Sequence, residues 1–269
     1  MANLARVTLE EALRRKQLDR TLTSTAPPAA AQAWAATGVA AVDEALRGGF
    51  PHGQLSELSG PASSGRLTVA LAAMAQATAR GELVAYIDTF DQLDVTSASS
   101  AGIALDRLLW VRGKATLSLK HAPPVVHAPA LAALRTRALD QALKAFMLVL
   151  QAGGFGLVVF DLANVPMSML RRLPASTWLR VQRVLEGRDT ACVLLTPEPL
   201  ARSAGGLTLA LEARTTWQGE TPQGRLLTGL ALDGRVRSPR QGGYGTVAVS
   251  AAVPDARAWD DHARRAHAG

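Results

Sequence analysis

The eight residues Gly60-Pro61-Ala62-Ser63-Ser64-Gly65-Arg66-Leu67 separate an apolar segment ending at Ser59 from an alanine-rich one that runs to Arg80. Glycines at the ends permit a tight turn, successive backbone N–H groups can then converge, and the start of a helix adds a dipole that favours an anion. The spacing is that of a phosphate loop. A working loop ends in lysine, which reaches the β/γ-phosphates, followed by serine or threonine, whose hydroxyl binds Mg²⁺. Arg66 and Leu67 stand in those two places. A planar guanidinium does not reproduce the point contact of an ammonium, and leucine offers no oxygen to a metal. Thr68 is turned by about 100° further round a helix, so it substitutes for Leu67 only in a shifted register. The expected phosphate contacts are Gly60, Ser63, Ser64, Gly65, Arg66 and Thr68, in a loop that would hold ATP or ADP, if at all, without hydrolysis.

Downstream, Leu157-Val158-Val159-Phe160-Asp161 is an apolar strand pattern that ends in an acid suited to the water shell of a metal beside such a loop. An aspartate there also serves to cap the next helix. No dedicated metal centre is expected, because His52, His121, His127, His262 and His267 lack cysteine or carboxylate neighbours at zinc spacing. Cys192, the single cysteine, lies within the apolar run ACVLL and reads as core.

Short apolar segments at 54–59, 83–88, 108–112, 156–161 and 190–196 predict strands, and 66–79, 129–152 and 167–186 carry helical periodicity. Apolar strands separated by helices imply a mostly parallel sheet covered on both faces. From Leu207 the pattern changes to long alternating segments ending near Val253, read as antiparallel strands that extend the sheet, with Gly219–Gly224 as a turn. Residues 8–20 look like a capped helix, Thr8 and Glu11 having capping-box spacing, and Thr21–Ala36 reads as a linker. The expected division is therefore 1–36 helix and linker, 37–253 core domain, and 254–269 tail. The N-terminal arm would pack on its own domain, on a partner or on a second copy.

The 269 residues are 48% hydrophobic and carry 29 Lys+Arg against 22 Asp+Glu, which excludes global disorder and gives a net charge of +7. One cysteine excludes a disulfide framework and fits a reducing compartment, and no segment has the length and polarity of a signal or a membrane span, so a cytoplasmic protein is expected. Arg107, Arg112, Lys114, Lys120, Arg135, Arg137 and Lys144 face a single acid, Asp140, between 107 and 144. That stretch is either a solvated face or a surface for phosphates or an acidic protein. Trp110 and Trp178 lie in apolar patterns and read as packing residues, Trp217 is harder to place, and Trp34 is a candidate partner contact.

The ordered run Thr37-Gly38, Val42-Asp43, Leu46, Gly48-Gly49-Phe50-Pro51-His52-Gly53, then GQLSELSGPASSGR, resembles the entry to the core of RecA/RadA/KaiC-type domains. Tyr86–Asp94 resembles the second core strand of that superfamily, LVVFD its Walker B strand and LTGLALDGRVRSP its last strands, so the resemblance spans roughly 37–250. It implies a RecA-like P-loop NTPase core, α/β, with a mostly parallel central sheet and an antiparallel C-terminal extension. It also implies a general base just after the second strand, where this chain has Phe90 beside Asp91, and basic residues against a neighbour's nucleotide at Arg235 and Arg237. Single-stranded DNA would meet loops at Leu162–Leu170 and Pro197–Gly206, both short here, the second with Arg202 as its base. Within the superfamily, Ile103–Arg112 with its LLWVR string, Leu170-Arg171-Arg172-Leu173 and Thr196-Pro197-Glu198 are similar to the ImuA-like accessory proteins of bacterial mutagenesis cassettes.

That likeness implies an inactive adaptor in translesion synthesis and the SOS response, working with a RecA-type recombinase, an ImuB-like polymerase homologue and a DnaE-type polymerase. Arg112, Lys114, Lys120, Arg235 and Arg237 are the expected partner or weak non-specific DNA contacts. The rival readings are a DNA-dependent ATPase with a rearranged nucleotide site and a SulA-type cell-division inhibitor.

Overall fold

Apolar runs too short for helices become central strands. The computed structural model describes residues 33–113, 128–201, 205–218, 226–237 and 244–252. The helix expected at 8–20, Lys114, Lys120, the turn at 219–224 and the tail at 254–269 lie outside the described residues. The chain begins with β1 (Trp34–Ala35), α1 (Ala40–Ala45), β2 (Phe50–Pro51), β3 (Leu55–Ser59), α2 (Arg66–Ala79), β4 (Val84–Asp88), α3 (Val95–Ser100) and β5 (Leu108–Arg112). It continues with α4 (Ala128–Ala152), β6 (Leu157–Asp161), α5 (Met167–Leu170), α6 (Ala175–Leu185), β7 (Ala191–Thr196), β8 (Gly205–Gln218), β9 (Leu226–Arg237) and β10 (Tyr244–Ala252).

Among the described residues one sheet has the order β10-β9-β8-β3-β7-β6-β4-β5. The architecture is α/β, with a mostly parallel centre and an antiparallel extension. The extension begins one strand later than the alternating pattern suggested: β8 runs parallel to β3, and only β9 and β10 reverse direction. Every residue of β3, β4, β6 and β7 is buried, as expected for parallel strands with both faces covered. On one face α2 inserts Val69, Ala70, Ala73, Met74 and Ala77 against Leu58, Tyr86, Val159 and Val193. On the other, α4 and α6 pack Phe146, Leu150, Trp178, Val181 and Leu185 against Ile87, Val158, Phe160 and Cys192. Each fully buried leucine or phenylalanine contributes roughly 1.5–3 kcal/mol.

Two expectations are corrected. The helix read over 167–186 is two helices, because Pro174 has no N–H to donate and its ring disfavours helical geometry at Leu173, so α5 stops and α6 starts afresh. The segment read as linker through Ala36 ends inside the core: Trp34 pairs with Pro51 and Ala35, fully buried, with Phe50. Trp34 is accordingly half-buried, its ring over Gly48, where an added Cβ would lie 3.1 Å from Trp34 Cγ. The following Thr37-Gly38 turn is held by Asp43, whose Oδ1 accepts from the Thr37 N–H and hydroxyl at 2.7 Å and whose Oδ2 accepts from the Gly38 N–H at 3.0 Å.

The register decides where chemistry is possible. Asp88 of β4 lies opposite Asp161 of β6, and Ser59 of β3 opposite Thr196 of β7. The carboxyl ends of these parallel strands therefore share one edge, and the loops leaving them converge there.

Candidate functional site: a phosphate loop closed from within

The loop after β3 turns through two left-handed residues, Ser63 (φ 60°) and Gly65 (φ 84°), into the first turn of α2. Its ends are set by tertiary contact. The Gly60 N–H donates to the Thr196 carbonyl at 3.1 Å, and a Cβ added to Gly60 would lie 2.3 Å from the carbonyl oxygen of Leu211 on β8. The Cα of Gly65 is covered by Leu232 of β9, whose Cδ2 would stand 2.4 Å from an added Cβ. Ser59 and Ser64 bury hydroxyls that lack hydrogen-bond partners among the described residues.

Arg66 does not extend toward a ligand. Its side chain is buried and runs across the sheet edge, Nη1 donating to the Thr196 carbonyl and Nη2 to the Ala163 carbonyl, both at 3.1 Å. Burial lowers its pKa, and the nearby Asp161 charge opposes that shift. Leu67 is 40% exposed and Thr68 is exposed, so neither the residue in the metal position nor its neighbour turns inward. Of the expected phosphate contacts, Arg66 is thus engaged by two carbonyls and Thr68 lies on the exposed side of α2. Gly60, Ser63, Ser64 and Gly65 form the loop as expected, and the register places Asp161 on the same edge.

Asp161 is itself engaged. Its Oδ2 accepts from the Tyr86 hydroxyl at 2.6 Å, its Oδ1 accepts from the Ala163 N–H at 2.8 Å, and its carbonyl accepts from the Thr89 hydroxyl at 2.6 Å. Burial raises the Asp161 pKa, against the hydrogen bonds that favour the anion, while the Tyr86 phenol is pushed well above its ordinary range, by burial first and by Asp161 next. The folded state then holds a proton on Asp161 at a pH where the unfolded chain has released it. Stability contributed by this group is present near the ordinary carboxylate range of about 4 and is lost as pH rises through the raised value. Asp161→Asn should remove that decline, so that urea unfolding between pH 4 and 8 shows the variant gaining on the parent as pH increases. Parallel profiles would count against a buried, proton-holding Asp161.

After β4, Phe90 is half-buried against the layer formed by α4 and α6, and Asp91 (φ 55°) is buried with its carboxylate gripped by Arg112, Nε to Oδ1 at 2.7 Å and Nη2 to Oδ2 at 3.0 Å. The Arg112 guanidinium also stacks on Trp110, 4.3 Å from the ring centroid, and Trp110 Nε1 donates to Asp88 at 3.1 Å. Arg112, an expected DNA or partner contact, is thus held against Asp91 with its side chain half exposed. Arg107 is exposed and donates to the Gly81 carbonyl at 2.6 Å. Arg235 and Arg237 alternate with buried Val236 and stand exposed on β9.

A glycine-framed loop at the carboxyl edge of a mostly parallel sheet, with an aspartate ending β6 two strands away, is consistent with a RecA-like α/β core. The RecA N-terminal domain family model matches residues 25–120. The RecA proteins of Desulforapulum autotrophicum and of a Picosynechococcus strain are 47% identical over 74 residues and 42% identical over 73, in each case 27% of this chain and 21% of the relative. That of Streptococcus gordonii is 46% identical over 74 residues, 27% of this chain and 19% of the relative. The chain thus spans about a fifth of the length of these curated relatives, to which it is similar over that stretch.

The residues present do not fit Mg–ATP. No oxygen stands in the metal position, the basic side chain is consumed by carbonyls, and an apolar side chain lies on Gly65. Among the described residues no group of three His, Cys, Asp or Glu could hold a metal, and no helix is long and apolar enough to cross a membrane. Tyr86, Thr196 and Leu232 complete the site; they fall in segments that carry the resemblance, but nothing in the sequence marked them as site residues, since a tyrosine in a buried strand and a leucine in an alternating one look like ordinary core.

Proposed function

We propose that this chain is a catalytically inactive RecA-like module acting as an adaptor in DNA-damage tolerance, of the ImuA-like kind, that joins a RecA-type recombinase to an ImuB-like polymerase homologue. The observation that carries the reading is the internal use of Arg66, whose guanidinium ties the ends of β6 and β7 together where a phosphate-binding lysine would stand. Phe90 in the place of the general base and exposed Leu67 in the place of the metal hydroxyl remove two further catalytic roles independently. A core that keeps the superfamily's fold while filling its site with structural contacts supports a role through binding surfaces.

The purified chain is expected to release no phosphate from Mg–ATP above background, with or without single-stranded DNA. Magnesium-dependent turnover that Asp161→Asn abolishes would overturn the adaptor reading in favour of the DNA-dependent ATPase.

A further inference from the structure

The helical layer formed by α4 and α6 has an outer face that the site does not use. Phe146 and Leu150 of α4 and Trp178, Val181 and Leu185 of α6 point into the core, which turns Arg137, Lys144, Arg180 and Arg183 outward, while Arg135 is exposed nearer the start of α4 and Arg172 just ahead of α6. None of these six bases has a hydrogen-bond or ion-pair partner for its side chain among the described residues, and the exposed acids on the same two helices and their immediate ends are Asp140 and Glu186. The helix ends are tied together, because Arg188 Nη1 donates to the Leu150 carbonyl at 2.7 Å and to the Gln151 carbonyl at 3.4 Å. The two helices are therefore held to each other at that end of the layer.

Two leucines interrupt it. Leu148 of α4 is 65% exposed, one turn beyond Lys144, and Leu179 of α6 is 46% exposed, between Ser176 and Arg183 and next to Arg180. Exposed leucines within a field of unpaired bases have the make-up of a protein interface, where apolar anchors sit inside a polar rim. A single-stranded nucleic acid would call for exposed aromatic platforms, and Phe146 and Trp178 are both buried. A second copy of this face would set like charges against each other. From Arg137 to Leu148 the face extends about 16 Å at 1.5 Å per residue, room for roughly three turns of a partner helix.

We infer that the outer face of α4 and α6 docks an acidic amphipathic helix of another protein, its apolar side chains on Leu148 and Leu179 and its carboxylates on Arg137, Lys144, Arg180 and Arg183. This inference rests on the adaptor reading and gives it a surface and a partner chemistry.

The test uses the full chain and three fluorescent probes read by anisotropy at two salt concentrations. The first is a peptide of about 18 residues with leucines at i, i+3, i+4 and i+7 and glutamates elsewhere. The second has the same composition scrambled so that its leucines share no face, and the third is a short DNA duplex. The helical peptide should bind at least about tenfold more tightly than the scrambled one. Leu148→Ser with Leu179→Ser should remove that advantage while the melting temperature stays unchanged, and Arg180→Ser with Arg183→Ser should weaken binding and flatten its salt dependence. Equal binding of the two peptides, or leucine variants that bind like the parent, would overturn the proposal. So would a duplex that binds more tightly than the peptide, with steep salt dependence and indifference to the leucines, and it would reassign the face to nucleic acid. Failure of the peptide with no ATP turnover removes this surface alone, whereas turnover removes the adaptor reading whatever the peptide does.

Discussion

Arg66→Ala is expected to lower the melting temperature by about 5–15 °C, corresponding to roughly 2–4 kcal/mol in a domain of this size. The alanine deletes two charge-assisted hydrogen bonds at a buried position and leaves the Ala163 carbonyl without its guanidinium donor, while the Thr196 carbonyl keeps only the Gly60 N–H. It also strips Asp161 of its nearest compensating cation, which favours the protonated carboxyl further. Arg66→Lys should recover part of the loss, since an ammonium can reach one carbonyl but does not span two with a fixed fork. Thermal unfolding of the three proteins decides the matter: an alanine variant as stable as the parent would mean that Arg66 is held in reserve for a ligand and is not a structural tie.

Gly60→Ala is expected to be more damaging, costing above about 4 kcal/mol and leaving little folded protein. The added Cβ would meet the Leu211 carbonyl oxygen at 2.3 Å and Ser64 Oγ at 2.6 Å, and the first of these is backbone in a strand paired on both sides, which cannot rotate away. Gly81→Ala provides the control. Gly81 has φ 86° with nothing within 4 Å of an added Cβ, so its variant bears only the left-handed backbone cost of about 1 kcal/mol. Similar unfolding midpoints in urea for the two variants would show that the approach of β8 to the loop is looser than described.

Much of the fold was legible because it depends on patterns a few residues long. The strand patterns ending at Asp88, Asp161 and Thr196 are apolar runs bounded by polar or turn residues, and they appear within a residue of where they were expected. The break at Pro174 was equally local, yet the surrounding leucines and methionines at helical spacing concealed it. Trp34 was misread for the opposite reason: an alanine- and proline-rich neighbourhood has no periodicity, and the two-residue pairing with Phe50 and Pro51 that buries its strand becomes visible only when the chain folds back.

At the site, residue types alone determined what is missing. Leucine has no oxygen for a metal, phenylalanine accepts no proton, and arginine is not a compact ammonium, whatever surrounds Leu67, Phe90 and Arg66. Where the remaining groups spend their hydrogen bonds was decided by tertiary structure, because the partners are distant in the chain: Arg66 with Thr196 and Ala163, Tyr86 with Asp161, Arg112 with Asp91, and Leu232 on Gly65. A basic residue in a sequence is a charge that any acid or phosphate can claim. Parallel register brings the ends of β3, β4, β5, β6 and β7 to one edge, and there the chain's own carbonyls and carboxylates accept from Arg66 and Arg112.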